Sequence, residues 1–252
     1  MSNKSNGNNY SENNNYNSNK TDNNSVRDEL HHDRVISDAV IKRLPRYYRY
    51  LRELLSHGKT RISSAELASI MNVTASQIRQ DLNCFGGFGQ QGYGYNVEKL
   101  YNQILDILGA NNGYNAVIIG AGNLGRAIVR SPMFERRGVT VKAMFDSNPA
   151  LVGDAVAGVT IYPVSELATY CREHRVDIAV LTLPKESAAD ALRVVEEAGV
   201  LGVWNFTSNE LDLKHKTAIV ENVHLGDSLM TLCYRLHSGE TADGGNDNGH
   251  DR

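Results

Sequence analysis

The stretch Ala116-Val-Ile-Ile-Gly-Ala-Gly-Asn-Leu-Gly125 decides the fold of this 252-residue chain. Its apolar start predicts a buried β-strand, and glycines follow at once in the spacing Gly-x-Gly-x-x-Gly. A helix from Leu124 onward would point free N–H groups and its positive dipole end at bound phosphates. Because this turn is typical of dinucleotide sites, we expect the ligand to contact Gly120, Ala121, Gly122, Asn123, Leu124 and Gly125.

Each glycine of this turn has a predicted role. Gly120 permits the tight turn, Gly122 lets a pyrophosphate approach the backbone, and Gly125 lets the helix pack closely on the strand. The next β-branched run, 139–145, ends in Asp146. An acid there can accept a hydrogen bond from a ribose 2′-OH and would repel a 2′-phosphate, which favours NAD(H) over NADP(H). The alternative is a Rossmann domain that binds no dinucleotide.

The residues that follow predict the rest of a parallel sheet. Further strands are expected at 176–183, 202–206 and 216–220, with helices at 164–174 and 186–198 between them. Ligands of such sheets bind at the carboxyl ends of the strands. The residues predicted to bind the cofactor there are Thr182, Pro184 and Asn205, of which Pro184 and Asn205 would lie within reach of a nicotinamide. Residues 113–222 therefore form a predicted Rossmann domain of the α/β class.

Residues 34–112 have helical periodicity instead and end in the turn-forming Ala110-Asn-Asn-Gly113. A first helix should begin after Ser37 as N-cap, and Pro45 should interrupt it or begin a new helix. Two capping boxes, Ser63-Ser-Ala-Glu66 and Thr74-Ala-Ser-Gln77, predict two short helices joined by a tight turn. This pattern matches a helix-turn-helix, although any helical hairpin would produce part of it.

A segment rich in glycine and aromatic residues, 86–95, follows the second short helix. It predicts a hairpin, the wing of a winged-helix domain, before a further helix over 97–108. Between Arg34 and Arg61 eight Lys and Arg residues stand against two acids, a balance of 8 − 2 = +6. Such an excess suits a polyanion, although a solvated helix face would look similar.

The DNA contacts predicted from these residues fall into three groups. Base edges in the major groove would be contacted by Ser76, Gln77, Arg79 and Gln80, unless Gln77 is used in its capping box. Phosphates would be contacted by Arg46, Lys59 and Arg61. A minor groove would be entered from the wing by Gln90, Gln91 and Tyr93.

The ends of the chain have a different composition. The first 24 positions hold 11 Asn, and we expect 1–33 and 239–252 to be disordered tails. Residues 223–238 predict a terminal helix. Its apolar stripe must be buried within its own domain or against the other domain or a partner subunit: Leu225, Leu229, Leu232, Cys233 and Leu236.

Several functions are disfavoured by what the sequence lacks. No run of eighteen apolar residues and no secretory signal pattern occur, so we expect a cytoplasmic protein with no membrane contact. The cysteines Cys84, Cys171 and Cys233 have no metal-ligand spacing and are expected to be reduced thiols, with packing favoured over a thiol response at Cys84. No catalytic constellation and no metal site are found, so an enzyme is not expected.

Taken together, six segments closely resemble the Rex family of redox-sensing transcriptional repressors. They are Arg43-Leu-Pro-Arg-Tyr-Tyr-Arg49, Arg61-Ile-Ser-Ser64, Thr74-Ala-Ser-Gln-Ile-Arg-Gln-Asp-Leu82, Gly89-Gln-Gln-Gly-Tyr-Gly-Tyr-Asn-Val97, Gly120-Ala-Gly-Asn-Leu-Gly125 and Val220-Glu-Asn-Val-His-Leu225. The resemblance covers about 35–237 in order. It implies a homodimer with a swapped C-terminal helix, an operator of double-stranded DNA with an inverted repeat, and release from DNA when NADH replaces NAD⁺.

Two positions depart from the pattern of that family. Many relatives carry an acid where this chain has His224, and a tyrosine where it has Ser131. In those relatives the acid pairs with an arginine that matches Arg49 in the DNA-competent state. Asp227, one turn further on, could replace the acid, or could simply stabilise a helix N-terminus.

Two other classes of function stay open on the sequence. One is an NAD-dependent oxidoreductase with an N-terminal interaction domain. The other is a nucleotide- or CoA-binding module that regulates through protein partners and does not bind DNA.

Overall fold

The computed structural model describes residues 36–86, 93–211 and 218–239. Two compact units divide between Tyr101 and Asn102, inside a helix that ends before the predicted boundary at 112/113. The predicted tail 1–33, nearly all of 239–252, and the wing residues Gln90 and Gln91 lie outside the described residues.

The described part of the first unit alternates helices with two very short strands. In chain order these are α1 (Asp38–Ser56), β1 (Arg61–Ile62), α2 (Ser64–Met71), α3 (Ala75–Asn83), β2 (Tyr95–Asn96) and α4 (Val97–Ile107).

Helix α1 begins after the N-cap Ser37, as predicted, but Pro45 neither interrupts it nor starts a new helix. The missing N–H of a proline inside a helix costs about 3 kcal/mol. Residues on both sides of Pro45, including Leu44 and Tyr48, are buried in the core of the unit. Burial of a large apolar side chain contributes about 1.5–3 kcal/mol, so packing of this face keeps the helix continuous.

Helices α2 and α3 form the predicted helix-turn-helix. The Ser63 hydroxyl accepts from the N–H of Glu66, and the Glu66 carboxylate accepts from the N–H of Ser63, which confirms the first capping box. Asn72 ends α2 in the left-handed region at φ 52°. The Thr74 hydroxyl then caps α3 by accepting from the N–H of Gln77.

The β2 strand pairs antiparallel with β1, with Arg61 opposite Asn96 and Ile62 opposite Tyr95. Just before β2, Gly94 has a φ of +69°, and a Cβ there would lie 2.6 Å from the Ile62 carbonyl oxygen. A glycine is therefore required where the segment returns from the predicted wing. The tip of that wing, 87–92, lies outside the described residues.

The described part of the second unit alternates strands and helices. In chain order these are β3 (Tyr114–Ile119), α5 (Asn123–Arg130), β4 (Val139–Asp146), β5 (Ala155–Val156), β6 (Val159–Pro163), α6 (Leu167–Glu173), β7 (Ile178–Leu181), α7 (Lys185–Glu197), β8 (Gly202–Asn205), β9 (Ile219–Asn222) and α8 (Leu225–His237).

The strand order across the described sheet is β5-β6-β4-β3-β7-β8-β9. Apart from β5, the order by appearance in the chain is 3-2-1-4-5-6, the order of a Rossmann fold. The strands that the sequence predicted pair parallel, as expected, and the sheet gains one further edge strand, because β5 pairs antiparallel with β6. Ala157 and Gly158 both have positive φ, 51° and 81°, which allows a two-residue hairpin turn there.

Both faces of the sheet are buried. Along β3, Val117 and Ile119 belong to one apolar cluster, whereas Ala116 and Ile118 belong to another. Because successive strand residues point to opposite faces, this alternation shows that the two clusters lie on the two sides of the sheet. The continuous apolar run that predicted a buried strand is thereby explained.

The terminal helix α8 leaves its apolar stripe exposed. Leu225, Leu229, Leu232 and Leu236 are 61%, 60%, 52% and 69% exposed, and every residue of α8 is exposed in the single chain. The first of the two predicted alternatives, that this stripe is buried within its own domain, is therefore wrong.

Candidate dinucleotide site and nucleic-acid interface

The glycine loop after β3 has the conformation that the sequence predicted. Gly120 has a φ of +106°, and a Cβ there would lie 2.5 Å from the Thr182 carbonyl oxygen. A Cβ on Gly125 would overlap the Gly120 carbonyl oxygen. Gly122 is the N-cap of α5, has no side-chain cap, and has nothing within 4 Å of an added Cβ. The space beside Gly122, at the N-terminus of α5, is therefore open, and a phosphate there would meet the free N–H groups of the helix.

Asp146 holds the glycine loop from the neighbouring strand. Its Oδ2 accepts from the N–H of Ala121 at 2.6 Å, and its Oδ1 accepts from the N–H of Asn148 at 2.8 Å. On the other side, Arg126 Nε donates to the Ala121 carbonyl at 2.8 Å. A carboxylate has about four acceptor sites, so two remain for the hydroxyls of a ribose.

Thr182 follows β7 and lies against the glycine loop. Its Oγ1 donates to the Gly120 carbonyl at 2.8 Å and lies 3.2 Å from the Ile119 carbonyl. Strands β3 and β7 are the pair where the strand order reverses, the usual position for a ligand in a doubly wound sheet. Pro184 is exposed beside it as the N-cap of α7. The structure thus brings the glycine loop, Asp146, Thr182 and Pro184 to one edge of the sheet.

Asn205 lies at the same edge but is fully buried. Its Nδ2 donates to the Asn209 carbonyl and to Asn222 Oδ1, both at 2.7 Å. Its Oδ1 accepts from the N–H and the hydroxyl of Thr207 at 3.0 and 2.7 Å. All four hydrogen-bonding sites of the amide are used internally. Contact of Asn205 with a nicotinamide stays a prediction.

Helix α3 has two distinct faces. Ile78, Asp81 and Leu82 are buried, whereas three of the predicted base-contacting residues are exposed: Ser76, Arg79 and Gln80. Gln77 is half-buried, and its Nε2 donates to Asp81 Oδ1 at 2.7 Å. The second half of the predicted capping box is therefore wrong, because the Gln77 amide turns toward the interior. Base contact by Ser76, Arg79 and Gln80 stays a prediction.

Asp81 is a buried anchor of α3 that the sequence prediction missed. Arg43 donates to both carboxylate oxygens at 2.7 Å, and the Tyr47 hydroxyl donates to Oδ2 at 2.9 Å. Burial alone would raise the pKa of Asp81, but hydrogen bonds from Arg43, Gln77 and Tyr47 outweigh it and hold that pKa below its ordinary value. Burial and the same carboxylate raise the pKa of Tyr47.

Two of the residues predicted to contact phosphate are held by local contacts. Arg46 Nη2 donates to the Met71 carbonyl at the end of α2, at 2.8 Å. Lys59 donates to Glu66 at 3.1 Å. The Ser63 N–H and then Lys59 lower the pKa of Glu66 to about 2.

The third, Arg61, donates to the Tyr93 carbonyl at 3.2 Å and lies 5.8 Å from the centre of the Tyr93 ring. On α3, Arg79 Nη1 donates to Ser64 Oγ at 3.2 Å. Each of these side chains keeps further N–H donors for DNA, since a guanidinium has five N–H donors and an ammonium has three.

The predicted switch residues lie in different units. Arg49 is exposed on α1, with its guanidinium 5.4 Å from the ring centre of Tyr50. Asp227 lies in the first turn of α8, where an acid stabilises the helix N-terminus. His224 is the N-cap residue, and its Nε2 lies 3.8 Å from Glu210 Oε1. Pairing of Arg49 with Asp227 stays a prediction.

The cysteines differ in burial. Cys84 is half-buried at the end of α3, Cys233 is exposed on α8, and burial raises the pKa of the Cys171 thiol to about 11. Within 36–86, 93–211 and 218–239, no group of three His, Cys, Asp or Glu side chains is placed to hold a metal ion. In the same ranges, no helix has the length and apolar character needed to cross a membrane.

Together, the fold and the two sites define a class of protein: a winged-helix DNA-binding unit joined to a Rossmann unit with a dinucleotide loop. Residues 35–83 match the family model described as "Putative DNA-binding protein N-terminus", and residues 111–209 match the model described as "CoA binding domain". The chain belongs to the Rex family of redox-sensing transcriptional repressors.

Curated members of that family show the extent of the match. The Rex repressor of Clostridium botulinum (strain Eklund 17B / Type B) is 50% identical over 202 residues, which cover 80% of this chain and 96% of the relative. That of Thermoanaerobacter sp. (strain X514) is 50% identical over 206 residues, which cover 82% of this chain and 92% of the relative.

Solved structures agree in both sequence and fold. The crystal structure of RSP in complex with beta-NAD+ and operator DNA is 50% identical, with a TM-score of 0.77 and coverage of 82% of this chain and 95% of that one. The crystal structure of RSP in complex with beta-NADH is 47% identical, with a TM-score of 0.76 and coverage of 82% and 97%.

Proposed function

We propose that this protein is a transcriptional repressor that senses the NADH/NAD⁺ ratio, binds an inverted-repeat operator as a homodimer, and releases it when NADH binds. The observation that carries this proposal is the glycine loop. No atom lies within 4 Å of an added Cβ at Gly122, and the Ala121 N–H donates to the carboxylate of Asp146 at the end of the neighbouring strand. RSP, a Rex-family repressor that is 47–50% identical to this chain, has been crystallised with beta-NADH and with beta-NAD+ on operator DNA.

NAD(H) is the ligand that this site favours. The ribose 2′-hydroxyl can donate to an acceptor site of Asp146 that Ala121 and Asn148 leave free. A 2′-phosphate would bring a second negative charge against the same carboxylate. The two nicotinamide states differ by one positive charge, and differential contacts worth about 1–3 kcal/mol would change operator affinity about 5–150-fold.

DNA binding is assigned to α3, with Ser76, Arg79 and Gln80 toward the bases and Arg46, Lys59 and Arg61 toward the phosphates. A half-site spacing of about one helical turn between the two recognition helices of a dimer would make binding sensitive to a small rotation of the subunits. The nucleotide acts as a signal rather than as a substrate, and the repressor acts in the cytoplasm, where it meets its operator.

The homodimer is supported by α8. Its exposed leucines would cover apolar surface in a second copy, at about 25 cal/mol per Å² buried. A Leu229→Glu substitution on this stripe should shift the protein toward monomers in sedimentation velocity. The matched change Ser228→Glu, at an exposed polar position on the same helix, should leave the dimer in place. Equal sedimentation of both variants would argue against α8 as the interface.

The function is tested by binding to a labelled operator selected from random inverted repeats, titrated with NADH, NAD⁺, NADPH and CoA in turn. Release by NADH at concentrations where NAD⁺ leaves the complex intact supports the proposal. Release by CoA instead would favour the nucleotide- or CoA-binding alternative, for which the matched "CoA binding domain" description is the supporting observation. DNA binding that ignores all four ligands would refute the sensor function.

A further inference from the structure

The segment after β8, residues 206–211, contacts two regions that lie on either side of it; we name it the β8 loop. The first region is the turn between β7 and α7, which lies at the predicted nucleotide site. Asn209 Nδ2 donates at 3.1 Å to the carbonyl of Lys185, the first residue of α7. Lys185 directly follows Pro184, which lies beside the Thr182–Gly120 contact described above. Any ligand that moves this turn therefore moves an atom bonded to the β8 loop.

On the other side, the same loop is bonded to the residues that lead into α8. The N–H of Leu211 donates to Asn222 Oδ1 at 3.4 Å. Glu210 Oε1 lies 3.8 Å from Nε2 of His224, the N-cap of α8. Asn222 is the last residue of β9. The loop thus reaches both the last residue of β9 and the N-cap residue of the exposed helix.

Asn205 joins these two sets of contacts. Its amide is fully buried and uses all four of its hydrogen-bonding sites, toward Thr207, Asn209 and Asn222. The main-chain carbonyl of Asn205 also accepts from the N–H of Val223 at 2.8 Å. A buried polar group that loses a partner destabilises the fold, so the loop and the entry to α8 move together or break a bond.

We propose that the hydrogen-bonded network of Asn205, the β8 loop and Asn222 couples nucleotide binding at the turn after β7 to the position of helix α8. Asn205 and Asn222 are then positioning residues of the redox switch. This inference rests on the proposed NADH-dependent release, and it names the internal connection through which that release would be produced.

The test compares two substitutions at Asn222. Asn222→Asp keeps the oxygen that accepts from Asn205 Nδ2 and from the Leu211 N–H, whereas Asn222→Leu removes it at similar volume. Both are measured for NADH affinity by calorimetry, and for operator affinity by fluorescence anisotropy with saturating NADH and with NAD⁺. The readout is the ratio of the two operator dissociation constants.

For Asn222→Leu we expect this ratio to fall at least about fivefold from the wild-type value, while NADH affinity stays within about threefold. Asn222→Asp should retain the wild-type ratio. Asn112→Ala serves as the control, because Asn112 is exposed and donates to the Tyr114 hydroxyl at 3.0 Å, at the opposite end of β3. An unchanged ratio in Asn222→Leu would overturn the inference.

A second measurement uses the wild-type protein and does not depend on a variant that folds. Hydrogen–deuterium exchange should show that NADH changes the protection of the amides of Thr207, Leu211 and Val223. Unchanged exchange at these amides, in a protein that does release its operator on NADH, would refute the coupling alone. If wild-type protein binds NADH but keeps its operator, the proposed function itself fails.

Discussion

The buried ion pair of Asp81 and Arg43 gives the sharpest test of how the recognition helix is held. Asp81 is fully buried and accepts four hydrogen bonds from three residues, Arg43, Tyr47 and Gln77. Arg43→Met removes the cation and leaves the carboxylate in the core. Breaking a buried ion pair from one side costs about 3–5 kcal/mol. Because the Arg43 side chain is 24% exposed, we expect the lower end of that range, about 3 kcal/mol.

The matched change Asp81→Asn should cost a similar free energy of unfolding, since it leaves the Arg43 guanidinium against a neutral amide. The double variant removes both charges, and its single amide oxygen can still accept from either Tyr47 or Gln77, which donate to different oxygens of Asp81. We therefore expect its loss to be smaller than the sum of the single losses by about 2 kcal/mol. Additive losses, with a coupling below about 0.5 kcal/mol, would refute the view that the pair acts as a unit.

Urea unfolding of the full chain, followed by two signals, measures these losses. Far-UV circular dichroism reports the helices of both units, whereas the single tryptophan, Trp204, lies in β8 and reports the second unit alone. All partners of Asp81 lie in the first unit, so the first unit's part of the dichroism signal should be lost at a lower urea concentration while the Trp204 midpoint stays in place. Operator affinity should fall in the same variants, because the face of α3 that we propose to contact bases loses its anchor.

The effect of pH on this ion pair follows from the lowered pKa of Asp81. A carboxylate with a depressed pKa stabilises the folded state above its unfolded pKa of about 4, and this contribution is lost as the pH falls through the native value. The stability difference between wild type and Asp81→Asn should therefore be full at neutral pH and shrink below about pH 4. A difference that grows on acidification would contradict this assignment.

Three further predictions concern the glycine loop, the first capping box and the choice of dinucleotide. Gly120→Ala should abolish NADH binding in calorimetry, because the added Cβ would lie 2.5 Å from the backbone carbonyl oxygen of Thr182. Gly113→Ala is the control: Gly113 also has a positive φ, but no atom lies within 4 Å of an added Cβ, so this change should cost only about 1–2 kcal/mol of stability and leave NADH binding intact. Lys59→Met should raise the pKa of Glu66 in a carboxyl NMR titration, yet leave it below 4.5, because the backbone hydrogen bond is its largest cause. Asp146→Ser should weaken NADH binding and strengthen NADPH binding in competition assays; an unchanged preference would argue against ribose recognition by this acid.

The features that the sequence predicted correctly depend on residues close together in the chain. The capping box of Ser63 and Glu66 spans four residues, and the glycine loop of Gly120–Gly125 spans six. Their geometry follows from local hydrogen bonding and from the φ range of glycine. The predicted helices and parallel strands agree for the same reason, since hydrophobic periodicity is also a local property.

The features that the prediction missed depend on distant partners. Arg43 and Asp81 are 38 residues apart, and Asn205 and Asn222 are 17 apart. Nothing in the surrounding sequence distinguishes these side chains from solvent-facing ones. The sequence predicts a capping box at Gln77 because Glu or Gln favours that position, where its oxygen would accept from the N-cap N–H. Its Nε2 instead donates to the buried carboxylate of Asp81, one turn along, and a hydrogen bond to a charged acceptor is the stronger one. The β5–β6 hairpin was missed because β5 has just two residues.

The separation of the two faces of α3 has an evolutionary consequence. Ile78, Asp81 and Leu82 carry the stability of the helix, whereas Ser76 and Gln80 lie on the exposed face. Substitutions at exposed positions usually change stability by less than about 0.5 kcal/mol. The repressor can therefore drift toward new operator sequences through its outer face while its fold stays unaffected, so that a duplicated copy could acquire a separate set of target genes by a few point mutations.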